Sequence, residues 1–297
     1  MVLKSYSRFA LAGVAAVGAA AGSQALEVQV EVTNIGPDGG VYITPLWVGF
    51  HDGSFDSYNG GLSAQEGLER VAEDGDTSVL SADFLGGYTY IDSGASARVL
   101  TSQTTGRVDG TIASPTGPPP IAPGETVSDV FTIAADGSNR YFSYASMVLP
   151  SSDYFIANGS ATAHDLSSLY GAPIGSEITF FIGQTVNDAG TEVNDFGTGP
   201  GNGLFPQLNI VGGQSGPDDG ADQNGVILNV DGIPYGGFLN SPADLDTNPA
   251  AALIDFNRAD IYPDGLAQVT VRVVPEPSSL ALIGIGTLAV IRRRRRV

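Results

Sequence analysis

Three carboxylates, Asp153, Asp188 and Glu192, have the type and spacing to hold a hard cation. Asp153 stands in Pro150-Ser151-Ser152-Asp153-Tyr154-Phe155, beside an aromatic pair of buried character. Asp188 and Glu192 lie four residues apart in Asn187-Asp188-Ala189-Gly190-Thr191-Glu192, around a flexible Ala-Gly. An apolar strand candidate precedes each segment, Tyr141 to Leu149 and Glu177 to Ile182, so both carboxylate groups are expected on loops at strand ends. Loops on a rigid sheet are common places for binding groups. Calcium takes roughly six to eight oxygens from carboxylates, carbonyls and water in a flexible geometry. The expectation is that Asp153, Asp188 and Glu192 converge on one Ca²⁺. The competing reading is that they only cap turns, because no strict metal-ligand motif is present.

Other chemistry-bearing residues are fewer. His51-Asp52-Gly53-Ser54-Phe55-Asp56 offers a second metal or catalytic set, but a lone His between such residues reads better as a hydrogen-bonded loop. His164-Asp165 lies near serines, yet adjacency in sequence does not make a triad. The stretch from Asp218 to Gly225 resembles a calcium loop. Aligned on Asp222, Asn224 and Gly225, however, the EF-hand template puts Gly220 at its first position and Asp231 at its twelfth, and no helices flank it. Asn224-Gly225 is therefore read as a turn. No Gly-x-Ser-x-Gly, His-Glu-x-x-His or phosphate loop occurs, and no carboxylate pair stands out for glycoside hydrolysis. The chain is read as non-catalytic.

The elements that must position these residues read as all-β. Glu27 to Thr33 alternates strictly, with Val28, Val30 and Val32 on one face. Val41 to Phe50 follows a Gly/Pro turn, with Pro45 marking an edge or bulge and Trp47, the one tryptophan, expected in the core. Ser63-x-x-Glu66 has the form of a capping box opening the one short helix, which Gly75 stops. Strands are expected at Ala97 to Thr101, Val127 to Ile133, Tyr141 to Leu149 and Glu177 to Ile182, with Ala267 to Val274 closing the sheet. Ser114 to Gly124 is a Pro/Gly-rich surface loop, and residues 195–250 are Gly/Asp-rich with sparse regular structure. Many short strands with Gly/Pro turns predict an antiparallel β-sandwich.

The two ends read as addresses. Residues 1–25 have Lys4 and Arg8, an apolar run, and a Ser23-Gln24-Ala25 cleavage site, which together read as a signal peptide for signal peptidase. Residues 275–297 hold Pro275-Glu276-Pro277, the apolar run Leu280 to Ile291, and five arginines from Arg292 to Arg296. That three-part tail resembles a PEP-CTERM sorting signal. The resemblance implies export from a Gram-negative bacterium, handling by exosortase, and contact with the membrane only transiently through the tail. Between the ends, residues 26–274 keep six arginines against 31 carboxylates, a net charge of −25. Such a surface disfavours nucleic acid and anionic lipid and suits divalent cations or cationic partners. There is no cysteine, so disulfides and thiol chemistry are excluded.

The order Pro-Ser-x-Asp-aromatic, then Asp-Ala-Gly-Thr-acid, resembles the spondin N-terminal domain. So do Gly61 to Gly75 and Thr44-Pro45-Leu46-Trp47-Val48-Gly49-Phe50-His51-Asp52-Gly53. The similarity spans residues 26–274. It implies a C2-like β-sandwich with a calcium site, whose aspartates fall on Asp153 and Asp188 and whose third ligand falls on Glu192, one methylene longer than the family's Asp. The function expected from this is a secreted, calcium-binding adhesion or matrix module, in contact with exopolysaccharide or surface proteins. The alternative is a carbohydrate-active enzyme or polysaccharide-binding protein of the same matrix. The C2-like fold also raises calcium-bridged contact with phospholipid headgroups.

Overall fold

The alternating valines of the first strand set the architecture. The computed structural model describes residues 25–36, 41–92, 96–115, 120–149, 151–193, 222–230 and 264–276. The signal segment before Ala25, Pro150, most of the Gly/Asp-rich 195–250 stretch, and Pro277 with the apolar and arginine tail lie outside the described residues.

In chain order the elements are β1 (Ala25–Asn34), β2 (Tyr42–Ile43), β3 (Leu46–His51), α1 (Glu66–Asp74), α2 (Ser78–Leu85), β4 (Tyr88–Asp92) and β5 (Ser96–Leu100). They continue with β6 (Val108–Ile112), β7 (Thr126–Ala134), β8 (Tyr141–Leu149), β9 (Tyr154–Ala157), β10 (His164–Asp165) and β11 (Glu177–Ile182). Short β12 (Asn187–Asp188) and β13 (Leu228–Asn229) precede β14 (Ala267–Val273). One sheet runs β11-β14-β1-β7. The second runs β13-β12-β9-β8-β3-β6, with β2 and β10 also on β8. β4 and β5 form a separate hairpin, and the pairings among the described strands are antiparallel throughout.

The two sheets face each other as a sandwich. Val28, Val30 and Val32 of β1, with Val269 and Val271 of β14, meet Val48 and Phe50 of β3 and Phe142 and Val148 of β8 in one core. A second apolar cluster lies on the outer face of the larger sheet. There Trp47, Ala145 and Phe155 pack under Leu68 and Val71 of α1 and Leu80 and Phe84 of α2. Alternation sends Leu46, Val48 and Phe50 to one core and Trp47 to the other, which is why all six residues of β3 are buried. Trp47 is fully buried and donates its indole N–H to Asp109 at 2.8 Å. Gly49 makes room for it: a Cβ there would sit 2.6 Å from the Trp47 ring.

Several expectations are corrected by this arrangement. There are two α-helices among the described residues, not one. α2 lacks an amphipathic stripe because apolar Leu85 is exposed and acidic Asp83 is buried, while Leu80 and Phe84 cover the sheet face. The capping box does not form: Gln65 is the N-cap and no side chain caps it, while the Ser63 hydroxyl donates to the Gly225 carbonyl at 3.3 Å. Gly75 does end α1 in the left-handed conformation. Val41 to Phe50 is two strands broken at Thr44-Pro45, as a proline without an N–H would require. The C-terminal strand β14 does not close its sheet but sits inside it, between β11 and β1.

Candidate metal centre

Asp153 follows the turn between β8 and β9. The Ser151 hydroxyl shapes that turn, donating to the Val148 carbonyl at 2.6 Å and accepting the Tyr154 N–H at 3.0 Å. The Asp153 side chain is fully buried. Its Oδ2 accepts the backbone N–H groups of Thr191 at 2.9 Å and Glu192 at 3.1 Å, and the Thr191 hydroxyl lies at 3.4 Å. Its Oδ1 is buried and makes no hydrogen bond. A buried carboxylate oxygen with no donor is costly unless a proton or a cation meets it.

The acid-bearing loop is pinned from both sides. Asp188 lies within β12, paired with Tyr154, so it belongs to a short strand and not to the loop expected for it. Its Oδ1 accepts the Gly190 N–H at 2.7 Å. The Ala189 N–H reaches the Asp153 carbonyl at 3.1 Å, and the Gly225 N–H reaches the Gly190 carbonyl at 2.7 Å. Gly190 has φ +69°, and a Cβ there would lie 2.7 Å from the Val226 carbonyl oxygen. Only glycine fits that turn without strain. Asp153, Asp188 and Glu192 are all buried. Burial first, then the charge of Asp188 and that of Glu192, push the Asp153 carboxyl up to about 7 against the pull of the two backbone N–H bonds.

The sequence-singled acids are therefore brought into one neighbourhood. Among the described residues, however, no group of three or more His, Cys, Asp or Glu side chains is placed so as to hold a metal ion by side chains alone. Glu69 and Glu73 of α1, which the sequence did not single out, and Asp222 of the calcium-loop-like stretch line a cleft of about 350 Å³ that Glu192 also lines. Glu192 and Asp222 form an isolated antiparallel bridge. The i, i+4 spacing of Glu69 and Glu73 on α1 is a sequence signal that points to this cleft once 222–225 lies against them.

The other candidate residues fall into ordinary roles. His51 is fully buried; its Nδ1 accepts the Gly53 N–H at 3.0 Å and its Nε2 meets the Ser143 hydroxyl at 2.8 Å. Burial holds its pKa down at about 3, so it is neutral. Asp52 accepts the Ser54 N–H at 2.9 Å, so this segment is the hydrogen-bonded loop expected of it. Asp56 is pushed up to about 6, chiefly by burial. Asp165 takes a two-pronged contact from Arg140 and the Ser167 N–H at 2.8 Å, while His164 stacks on Phe180. The second calcium loop is only partly visible: Asp218 to Gly220 and Asp231 lie outside the described residues, and the Gly225 N–H closes on the Gln223 carbonyl at 2.8 Å as a turn.

Comparison with known proteins bears on the tail. A family model for the PEP-CTERM protein-sorting motif matches residues 273–296. That motif implies processing by exosortase during export and delivery to the surface or extracellular space of a Gram-negative bacterium. It includes Pro275, Glu276 and Pro277, the first two directly after β14. No curated protein matches the chain. The resemblance of residues 26–274 to the spondin N-terminal domain finds no support from a family model or a homologue. Among the described residues no helix is long and apolar enough to cross a membrane.

Proposed function

We propose that this protein is a calcium-binding interaction module of the cell surface or extracellular matrix, acting by binding and not by catalysis. The observation that carries the reading is the Asp153 carboxylate. It is fully buried, one oxygen makes no hydrogen bond, and two further carboxylates act on it electrostatically. A divalent cation would meet that oxygen and offset the three charges. Calcium also accepts carbonyl and water oxygens, so it does not need three carboxylates in direct contact. Asp153, Asp188 and Glu192 would hold it, and its charge would tie the β8–β9 turn to the 188–192 loop. The resemblance to the spondin domain supports the same site.

The calcium-bound module would present its loop edge to exopolysaccharide or to other surface proteins. Both histidines support a non-catalytic role, His51 being locked between Gly53 and Ser143 and His164 stacked on Phe180. The test is a thermal melt of the exported protein with and without calcium. Ligand at about 100 times its Kd adds about 2.7 kcal/mol of stability. A melting temperature raised by calcium, lowered by chelator and indifferent to magnesium is the expected result. Melts that coincide in calcium and in chelator would refute the reading.

A further inference from the structure

A second cleft, of about 260 Å³, opens where β11, the outer strand of the smaller sheet, meets β8 to β10 of the larger one. It shares no lining residue with the acidic cleft. Tyr58, Tyr144, His164, Phe181, Gln184 and Thr185 line it, and among the described residues that line it none is an acid, a lysine or an arginine. In a body with 31 carboxylates, an uncharged cleft is a distinct chemical environment.

The cleft offers ring faces and hydrogen-bonding groups together. His164 stacks on Phe180 with centroids 4.2 Å apart and planes at 15°, and the Tyr144 ring lies 5.8 Å from it. The Tyr58 hydroxyl accepts a hydrogen bond from the Asn187 amide at 3.2 Å, which leaves its own proton to donate. Gly159 permits that placement, since a Cβ there would lie 3.0 Å from the Tyr58 hydroxyl oxygen. Among the described residues, the His164 ring and the side chains of Gln184 and Thr185 make no hydrogen bond. Burial holds the His164 pKa down at about 4. The imidazole is therefore neutral and offers one donor and one acceptor.

We propose that this cleft binds a single neutral sugar ring of a glycan. A pyranose has an apolar C–H face for the aromatic wall and hydroxyls that both donate and accept, which suits an amide, a threonine hydroxyl, a tyrosine hydroxyl and a neutral imidazole. A uronate would meet no cation here and would face the protein's negative field. An amine would meet no carboxylate. An aromatic peptide side chain would leave the amide and hydroxyl groups unmatched. Pockets for drug-sized ligands run about 300–1,000 Å³, so this one has room for one ring. The proposal does not depend on the metal reading.

The test is calorimetric titration of the exported protein with malto-, cello-, manno- and galacto-oligosaccharides, and with oligogalacturonate, each in calcium and in chelator. Saturable binding of a neutral series, the same in both buffers, is expected. Gln184→Ala, an exposed change that leaves the melting temperature as in the wild type, should weaken it at least tenfold, as should His164→Ala. Binding of oligogalacturonate alone, no binding of any neutral series at millimolar concentration, or neutral binding that Gln184→Ala leaves intact would each overturn the proposal. A neutral sugar that binds only in calcium would place the glycan at the metal centre and overturn it as well.

Discussion

Replacing Asp153 by asparagine should stabilise the calcium-free protein while abolishing its response to calcium. The sign follows from linkage. The folded carboxyl is raised from 3.8 to about 7, with burial as the main cause and Asp188 and then Glu192 adding to it. A raised acid binds its proton more tightly in the folded state. The stability this confers is fully present below about pH 4 and is lost as pH rises through about 7. The full rise corresponds to roughly 4 kcal/mol. In chelator, the wild type should therefore lose stability between pH 4 and pH 8. Asparagine does not titrate. Its Oδ1 can keep the N–H groups of Thr191 and Glu192, and its amide N–H₂ would replace the oxygen that has no donor. Asp153→Asn should be about 2–4 kcal/mol more stable than the wild type at pH 8 in chelator, with the two converging near pH 4. Calcium should flatten the wild-type profile by holding the carboxylate ionised and should leave the variant unchanged. Urea unfolding from pH 4 to 8, with calcium and with chelator, reads all of this. A variant less stable than the wild type at pH 8 in chelator, or a wild-type profile flat without calcium, would show that Asp153 is not a raised, cation-seeking carboxyl.

Three further changes test other parts of the account. Gly190→Ala forces a Cβ to 2.7 Å from the Val226 carbonyl oxygen at φ +69° and should cost roughly 2–4 kcal/mol, read from the urea midpoint. Arg107 is buried and donates to the carbonyls of Phe84 at 2.9 Å and Tyr88 at 2.7 Å, so Arg107→Ala should cost about 3 kcal/mol with an unchanged dependence on urea. Replacing Pro275, Glu276 and Pro277 together by alanine should leave the protein exported but unsorted, which fractionation of cells with and without exosortase would reveal.

Much of the sandwich was legible because its strands alternate. Val28, Val30 and Val32 announced a half-buried strand, and β7, β8, β11 and β14 lay where apolar runs placed them. What stayed hidden depended on partners distant in the chain. α2 has no amphipathic period, since Leu85 stands exposed and Asp83 is buried while Leu80 and Phe84 cover the sheet. The two-residue strands β10, β12 and β13 are too short to show a period and exist only because β8, β9 and β12 respectively pair with them. The three acids were nameable from their order along the chain, but the N–H groups of Thr191 and Glu192 on Asp153 required the fold. The neutral cleft was illegible for the same reason: Tyr58, Tyr144, His164 and Gln184 come from four separate segments and share no spacing.

Calcium binding at Asp153, Asp188 and Glu192 is tested by calorimetric titration of the exported protein with calcium, beside its Asp188→Ala variant. Saturable binding near one ion per chain in the wild type, lost in the variant, is the expected result. No binding by the wild type at millimolar calcium, or equal binding by the variant, would contradict it and leave these acids as turn-forming carboxylates.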